Sequence, residues 1–245
     1  MRVCSYRSRF RFLFLSQMKS LAFLAMACVF PVSAQDSAPK AVRNDFKNVV
    51  APDDKLEDWQ PLFNGSDLSN WIQRNGWAVY RIEGDSIAGT TSEGSPNSFL
   101  CTREEYGDYE LRFEVKVDPE LNSGVQFRSK SLPDRDNGRV HGPQVEICAA
   151  PGPAGYIYGE STGRNWLSPD QTVSDAFKNG EWNQYRIRAQ GSRLQTWVNG
   201  RLIEDITDTA SPTAGFIGLQ VHGIASKAGP YQVRWRNIAI RTLIQ

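Results

Sequence analysis

The chain has 245 residues, 28 of them basic and 27 acidic, with 40% apolar residues and four cysteines. So even a charge balance argues against nucleic acid or an anionic membrane surface as partner, because both demand clustered Lys and Arg. Four cysteines are too few for a disulfide scaffold, and no transmembrane-length apolar run follows residue 34.

The first segment reads as an export signal over residues 1–34. Met18-Lys19 opens a short basic region, Leu21 to Val32 is apolar, and Val32-Ser33-Ala34 forms a small-residue cleavage site before Gln35. Arg2, Arg7, Arg9 and Arg11 make the leader long, which favours a start at Met18. Ala25-Met26-Ala27 is a poor context for lipid attachment at Cys28, so the expected destination is periplasmic or secreted without an anchor. Cleavage removes five basic residues and no acidic one, leaving 23 against 27 and two cysteines, Cys101 and Cys148. These can pair or remain small buried thiols.

Residues 35–58 are polar, carry Pro39 and Pro52, and read as a flexible arm. From Trp59 to the C-terminus short strands alternate with turn residues, which predicts one all-β domain, an antiparallel two-sheet jelly roll. Tyr109, Leu111, Phe113, Val115 and Val117 alternate with Glu110, Arg112, Glu114 and Lys116, a half-buried strand closed by Asp118-Pro119. Leu194, Thr196 and Val198 make another, followed by an Asn199-Gly200 hairpin turn. The last strand, Tyr231 to Ile240, changes phase near Arg236-Asn237, which predicts a bulge.

Residues 149–180 form an unusually long connection, with only Tyr156 to Gly159 strand-like. Its Tyr156, Tyr158 and Trp166 among glycines and hydroxyls suit a sugar, whose ring faces are apolar and whose hydroxyls need partners. Pinning the loop to the sandwich is the competing role.

Three strands show one apolar and one polar face: Val125/Phe127, Val145/Ile147 and Leu219/Val221 inward, against Gln126 with Arg128, Gln144 with Glu146, and Gln220 with His222. Any sandwich has a polar outer face, but these strands carry no Lys and use one of only two histidines. One cation, one carboxylate, one imidazole and three amides are dense in two-way hydrogen-bonding groups, as sugar recognition requires. His141, in the turn-like run NGRVHGP, is expected on a surface loop. A metal built from Glu146 and His222 is conceivable, yet no spaced ligand motif supports one, and no cofactor is expected.

PLFNGSDLSNW (61–71), EYGDYELRFEVKV (105–117), NSGVQFRS (122–129), GPQVEI (142–147), GEWNQYRIRAQG (180–191), TWVNG (196–200), GLQVHG (218–223) and the closing RWRNIAIRTL together resemble the 3-keto-disaccharide hydrolase family. The resemblance spans about residues 59–243. It implies a concanavalin A-like jelly roll, bacterial export, and cleavage of glycosides already oxidised to a ketone at C3. Sandwich glucanases draw two acids from alternate positions of one strand. The matching positions here are Gln144, Glu146 and Cys148, so only one acid remains for a reaction that ordinarily needs two.

A 3-keto sugar has an acidic C2 proton, so one base can start an elimination that releases the group on C1. Glu146 or His222 is then the base, Arg128 the enolate stabiliser, and Gln144, Gln220, Gln126, Tyr158 and Trp166 the sugar holders. The expected partner is an oxidised di- or oligosaccharide. A non-catalytic carbohydrate-binding module on the same fold is the alternative, and an envelope-structural or protein-interaction domain is a third reading.

Overall fold

A computed structural model describes residues 38–46, 59–172 and 174–243. The expected leader at 1–34 and most of the arm lie outside them. Strands follow in chain order: β1 (Val42–Arg43), β2 (Gln60–Pro61), β3 (Trp71–Asn75), β4 (Val79–Glu83), β5 (Ser86–Thr90) and β6 (Ser98–Thr102). Next come β7 (Tyr109–Val117), β8 (Ser123–Ser129), β9 (Gly142–Ile147), β10 (Ile157–Glu160) and β11 (Asn165–Trp166). The series closes with β12 (Asn183–Gln190), β13 (Arg193–Val198), β14 (Arg201–Thr207), β15 (Phe216–Val221) and β16 (Gln232–Thr242).

They make two antiparallel sheets. One runs β1-β14-β13-β12-β7-β16-β5-β4, with β2 also paired to β16; the other runs β11-β10-β9-β8-β15-β6-β3. The core lies between them, where Val125, Phe127, Val145 and Leu219 of the second sheet meet Leu111, Phe113, Ile187 and Trp235 of the first. Burying these side chains contributes roughly 1.5–3 kcal/mol each. This is the expected jelly-roll sandwich. The hairpin turn sits at Asn199-Gly200 with both φ values positive, 49° and 79°, and the register of β16 shifts between Arg236 and Ala239.

Two local expectations change, and one alternative left open is decided. Residues 38–46 of the arm lie along the sheet edge, where Val42 pairs with Thr207 and Arg43 grips Glu204 at 3.0 and 2.8 Å. A two-residue edge strand has no periodicity to read, and its partner lies 161 positions away. His141 is not on the surface: it is 4% exposed and exchanges both backbone hydrogen bonds with Lys130 at 2.9 Å. Cys101 and Cys148 are both free thiols, Cys101 in a small cluster with Phe99, Val140 and Phe216.

Arg128 is the correction that matters most. Its φ is +51°, and the β8–β15 register shifts between Phe216 and Gly218, so an extra residue is accommodated there. The side chain therefore leaves the polar face and crosses the end of the sandwich. Its Nε donates to Gly107 O at 2.7 Å, Nη1 to Gly191 O at 2.6 Å and Nη2 to Asp108 Oδ1 at 2.7 Å. At 1% exposure it fastens one sheet to the other. Arg128→Ala is expected to destabilise the fold by about 3–5 kcal/mol in urea unfolding, because the pair is buried and its partners lose their donor.

Candidate functional site

β9 sends Val145 and Ile147 into the core and so turns Gln144 and Glu146 to the opposite face. Register then builds two rows across the seven-stranded sheet. In one, Glu146 faces Gly124, Gly124 faces Gln220, Gln220 faces Phe99 and Phe99 faces Arg74. In the other, Gln126 faces Gln144, which faces Tyr158, which faces Trp166. The expected amides and acid share one face. The expected cation, Arg128, is absent from it.

An amide relay leads to the acid. Ser129 Oγ donates to Gln126 Oε1 at 2.6 Å, Gln126 Nε2 to Gln144 Oε1 at 2.7 Å, and Gln144 Nε2 to Glu146 Oε2 at 3.4 Å. Asn122 Nδ2 donates to Glu146 Oε1. Each link fixes which end of the next amide is oxygen. Gln126 is completely buried, so it orients Gln144 and does not itself meet solvent. Gly124 makes the relay possible, since a Cβ there would lie 2.5 Å from Gln144 Cδ.

Glu146 is 6% exposed, and burial pushes its carboxyl up to about 7. The Asn122 and Gln144 hydrogen bonds oppose that shift, and nearby Glu160 adds to it. A carboxyl near 7 can exchange protons at neutral pH, which an exposed glutamate near 4.5 does poorly.

His222 is half-buried just past the end of β15, two positions beyond Gln220. Its Nδ1 lies 2.7 Å from Gly223 O. A carbonyl only accepts, so Nδ1 carries the hydrogen and Nε2 is the nitrogen left open. With strands about 4.8 Å apart and residues about 3.4 Å, the Glu146 and His222 Cα atoms stand about 12 Å apart across Gly124. That separation keeps the two groups from pairing and leaves a gap between them floored by glycine.

Tyr158 and Trp166 pack edge-to-face at 5.3 Å on the β10–β11 hairpin, with Trp166 36% exposed. Tyr156 instead belongs to the core. A polar hollow of about 310 Å³ adjoins Tyr158, Glu160 and Asn165 at this rim. A larger one of about 650 Å³ opens on the other sheet beside Trp59, Arg112, Arg186 and Trp197. There the Trp59 ring is packed by the guanidiniums of Arg112, Arg186 and Arg241 at 4.4–5.3 Å, and Glu110 engages Arg186 and Arg241. That arrangement is a structural clamp.

Two residues of the face escaped the sequence reading. Asn122 stands just before the alternating run of β8, so the pattern gave it no face. Arg74 lies on β3, whose Trp71 is core and whose Ile72 is half-buried on the outer side, which masks the polar face. Among the described residues no group of three or more His, Cys, Asp or Glu is gathered to hold a metal ion.

Residues 58–241 match the family described as 3-keto-alpha-glucoside-1,2-lyase-like domains. Solved structures similar in fold include a candidate glycosyl hydrolase from Parabacteroides distasonis (18% identical, 77% of this chain and 95% of that one, TM-score 0.54). Others are the carbohydrate-binding module CBM66 from Bacillus subtilis (18%, 71% and 96%, 0.52) and a Bacillus licheniformis β-glucanase (12%, 76% and 97%, 0.51). No curated protein matches significantly.

The raised Glu146 pKa has a sign that can be checked. A carboxyl that binds its proton more tightly when folded loses the fold stability as pH rises from about 4.5 to about 7. Glu146→Gln is therefore expected to gain up to about 3 kcal/mol over wild type at pH 8 and nothing below pH 4.5, read by urea unfolding at both pH values. Gly124→Ala is expected to displace Gln144, remove a donor that holds the Glu146 carboxyl down and so shift its titration further upward, and leave the far-ultraviolet dichroism unchanged.

Proposed function

Because this chain belongs to the 3-keto-alpha-glucoside-1,2-lyase-like family, we propose that it is an exported enzyme that cleaves 3-keto-glycosides by elimination, with Glu146 as the base. The observation that carries this is a buried carboxyl near 7 held by amides alone, on a sheet face with aromatic walls.

The ketone acidifies the C2 proton, which passes to Glu146, and the electron pair is delocalised onto the C3 oxygen. Gln144 supplies an N–H donor to that oxygen, the role that Arg128 is placed too far inside to play. The C1–O bond then breaks, a C1=C2 double bond forms, and the leaving oxygen takes the Nε2 proton of His222 in its imidazolium form, which leaves the neutral ring with its Nδ1–H on Gly223 O. Water adding across the double bond converts the outcome to net hydrolysis. Tyr158 and Trp166 offer apolar edges to the ring, and no second carboxylate or resident cofactor is required.

Methyl 3-keto-α-glucoside and methyl α-glucoside, incubated in parallel and followed by mass spectrometry, test the reading. Only the keto sugar is expected to be cleaved, and Glu146→Gln to lose at least about 10²-fold in kcat/KM, within the range general-base catalysis supplies. The rate is expected to rise with pH with a midpoint near 7 as Glu146 ionises. A falling limb at that midpoint assigns Glu146 the acid's role and His222 the base's. Binding of both sugars without cleavage makes the chain a carbohydrate-binding module.

A further inference from the structure

The amide of Gln220 lies on the same face as Glu146, and the proposed reaction does not use it. Gln220 is 1% exposed, and both its Nε2 and its Oε1 are buried without a hydrogen-bond partner. Arg74, two strands away in the same row, has its Nε buried and unpartnered as well. Buried amides in folded proteins almost always find partners, because leaving them unpaired costs free energy. Three such atoms along one row, beside the acid, mark a place where stability is given up for recognition.

The surroundings say what could be recognised. Phe99 lies between Gln220 and Arg74, and Phe216 lies under the Arg74 guanidinium at 5.5 Å. Two aromatic rings, two N–H donors and one carbonyl acceptor are the complement of a neutral sugar ring with adjacent hydroxyls. Cα spacing along the row puts Gln220 about 10 Å from Glu146. One saccharide against Glu146 would therefore bring its neighbour over Gln220. His222, the proposed donor to the leaving oxygen, stands two positions past Gln220, just beyond the end of β15.

The connection 130–141 roofs this half of the sheet. Val140 packs on Phe99, Cys101 and Phe216, while Val140 N donates to Asn75 Oδ1 at 2.9 Å. Arg74 Nη1 to Ser131 Oγ and Asn75 Nδ2 to Gly138 O are both long, at 3.4 Å. The connection is thus tied to β3 by one short and two long hydrogen bonds, next to the row that carries Gln220.

We propose that Gln220 and Arg74 form a subsite beneath the 130–141 connection for the second saccharide, the leaving group, of a disaccharide substrate. The subsite rests on the reading of Glu146 as the centre of the reaction.

Two measurements on the full chain separate it from that reading. Gln220→Met, close to isosteric, is expected to raise the Tm of the sugar-free protein by about 2–4 °C, since it removes an unpaired buried amide. A fall in Tm would show that the amide has internal partners and overturn the subsite. In the Glu146→Gln background, calorimetry with 3-keto-trehalose is expected to show about tenfold weaker binding for Gln220→Met, with methyl 3-keto-α-glucoside within twofold of the background. Equal losses on both probes would mean that Gln220 reads the keto ring, ending the subsite while the proposed reaction stands. Equal binding of 3-keto-trehalose by both proteins would also end it. If neither probe binds the Glu146→Gln protein or is cleaved by wild type, the proposed function itself fails.

Discussion

Taking a carboxyl group out of water without giving it a counter-cation raises its pKa, and Glu146 is arranged to meet that cost with amides alone. A nearby guanidinium would have held the group ionised and weakly basic. Arg128 is drawn instead into the joint between the sheets, where it bonds Gly107, Gly191 and Asp108. The separation of that cation from this acid governs the rest of the site. It leaves Glu146 to two amide donors, and it makes the relay from Ser129 through Gln126 and Gln144 the device that fixes the acid's orientation.

The sandwich divides the work between its sheets. The nine-stranded sheet carries dense Arg–carboxylate pairing on its outer side, as in Glu110 with Arg186 and Arg241. The seven-stranded sheet instead carries amides, one acid and glycines at Gly124 and Gly218, where a side chain would crowd Gln144 or Cys101. Its aromatic rim is fastened from outside: Arg164, in the β10–β11 turn, binds Asp208 at 2.7 and 3.0 Å, and Arg43 binds Asp170 as well as Glu204. The edge strand at residues 42–43 thus contributes to holding the loop that carries Tyr158 and Trp166.

Strand alternation carried the face of β9 and β15 because side chains there obey a period of two without interruption. Glu146, Gln144 and Gln220 follow from it directly. The same rule misplaces Arg128, since one residue with positive φ reverses the side that follows, and nothing in the letters FRS announces the bulge. His141 read as a turn residue because glycine and proline flank it, yet its pairing with Lys130 extends the β8–β9 ladder past its named ends. Arg74 and Asn122 depend on which strands become neighbours, a long-range fact that local periodicity does not contain. The raised pKa of Glu146 belongs to the same class, because burial is a property of the assembled sheet.

The direct test of the account is the titration of Glu146 itself. Carbon-13 side-chain carboxyl spectra of the wild-type protein and of Glu146→Gln, collected from pH 3 to 9, would isolate its resonance by difference. A midpoint near 7, pushed up from the ordinary carboxylate range by burial, is the predicted result. A midpoint near 4.5 would mean that the group is solvated or paired with a cation, and would remove the base from the proposed reaction.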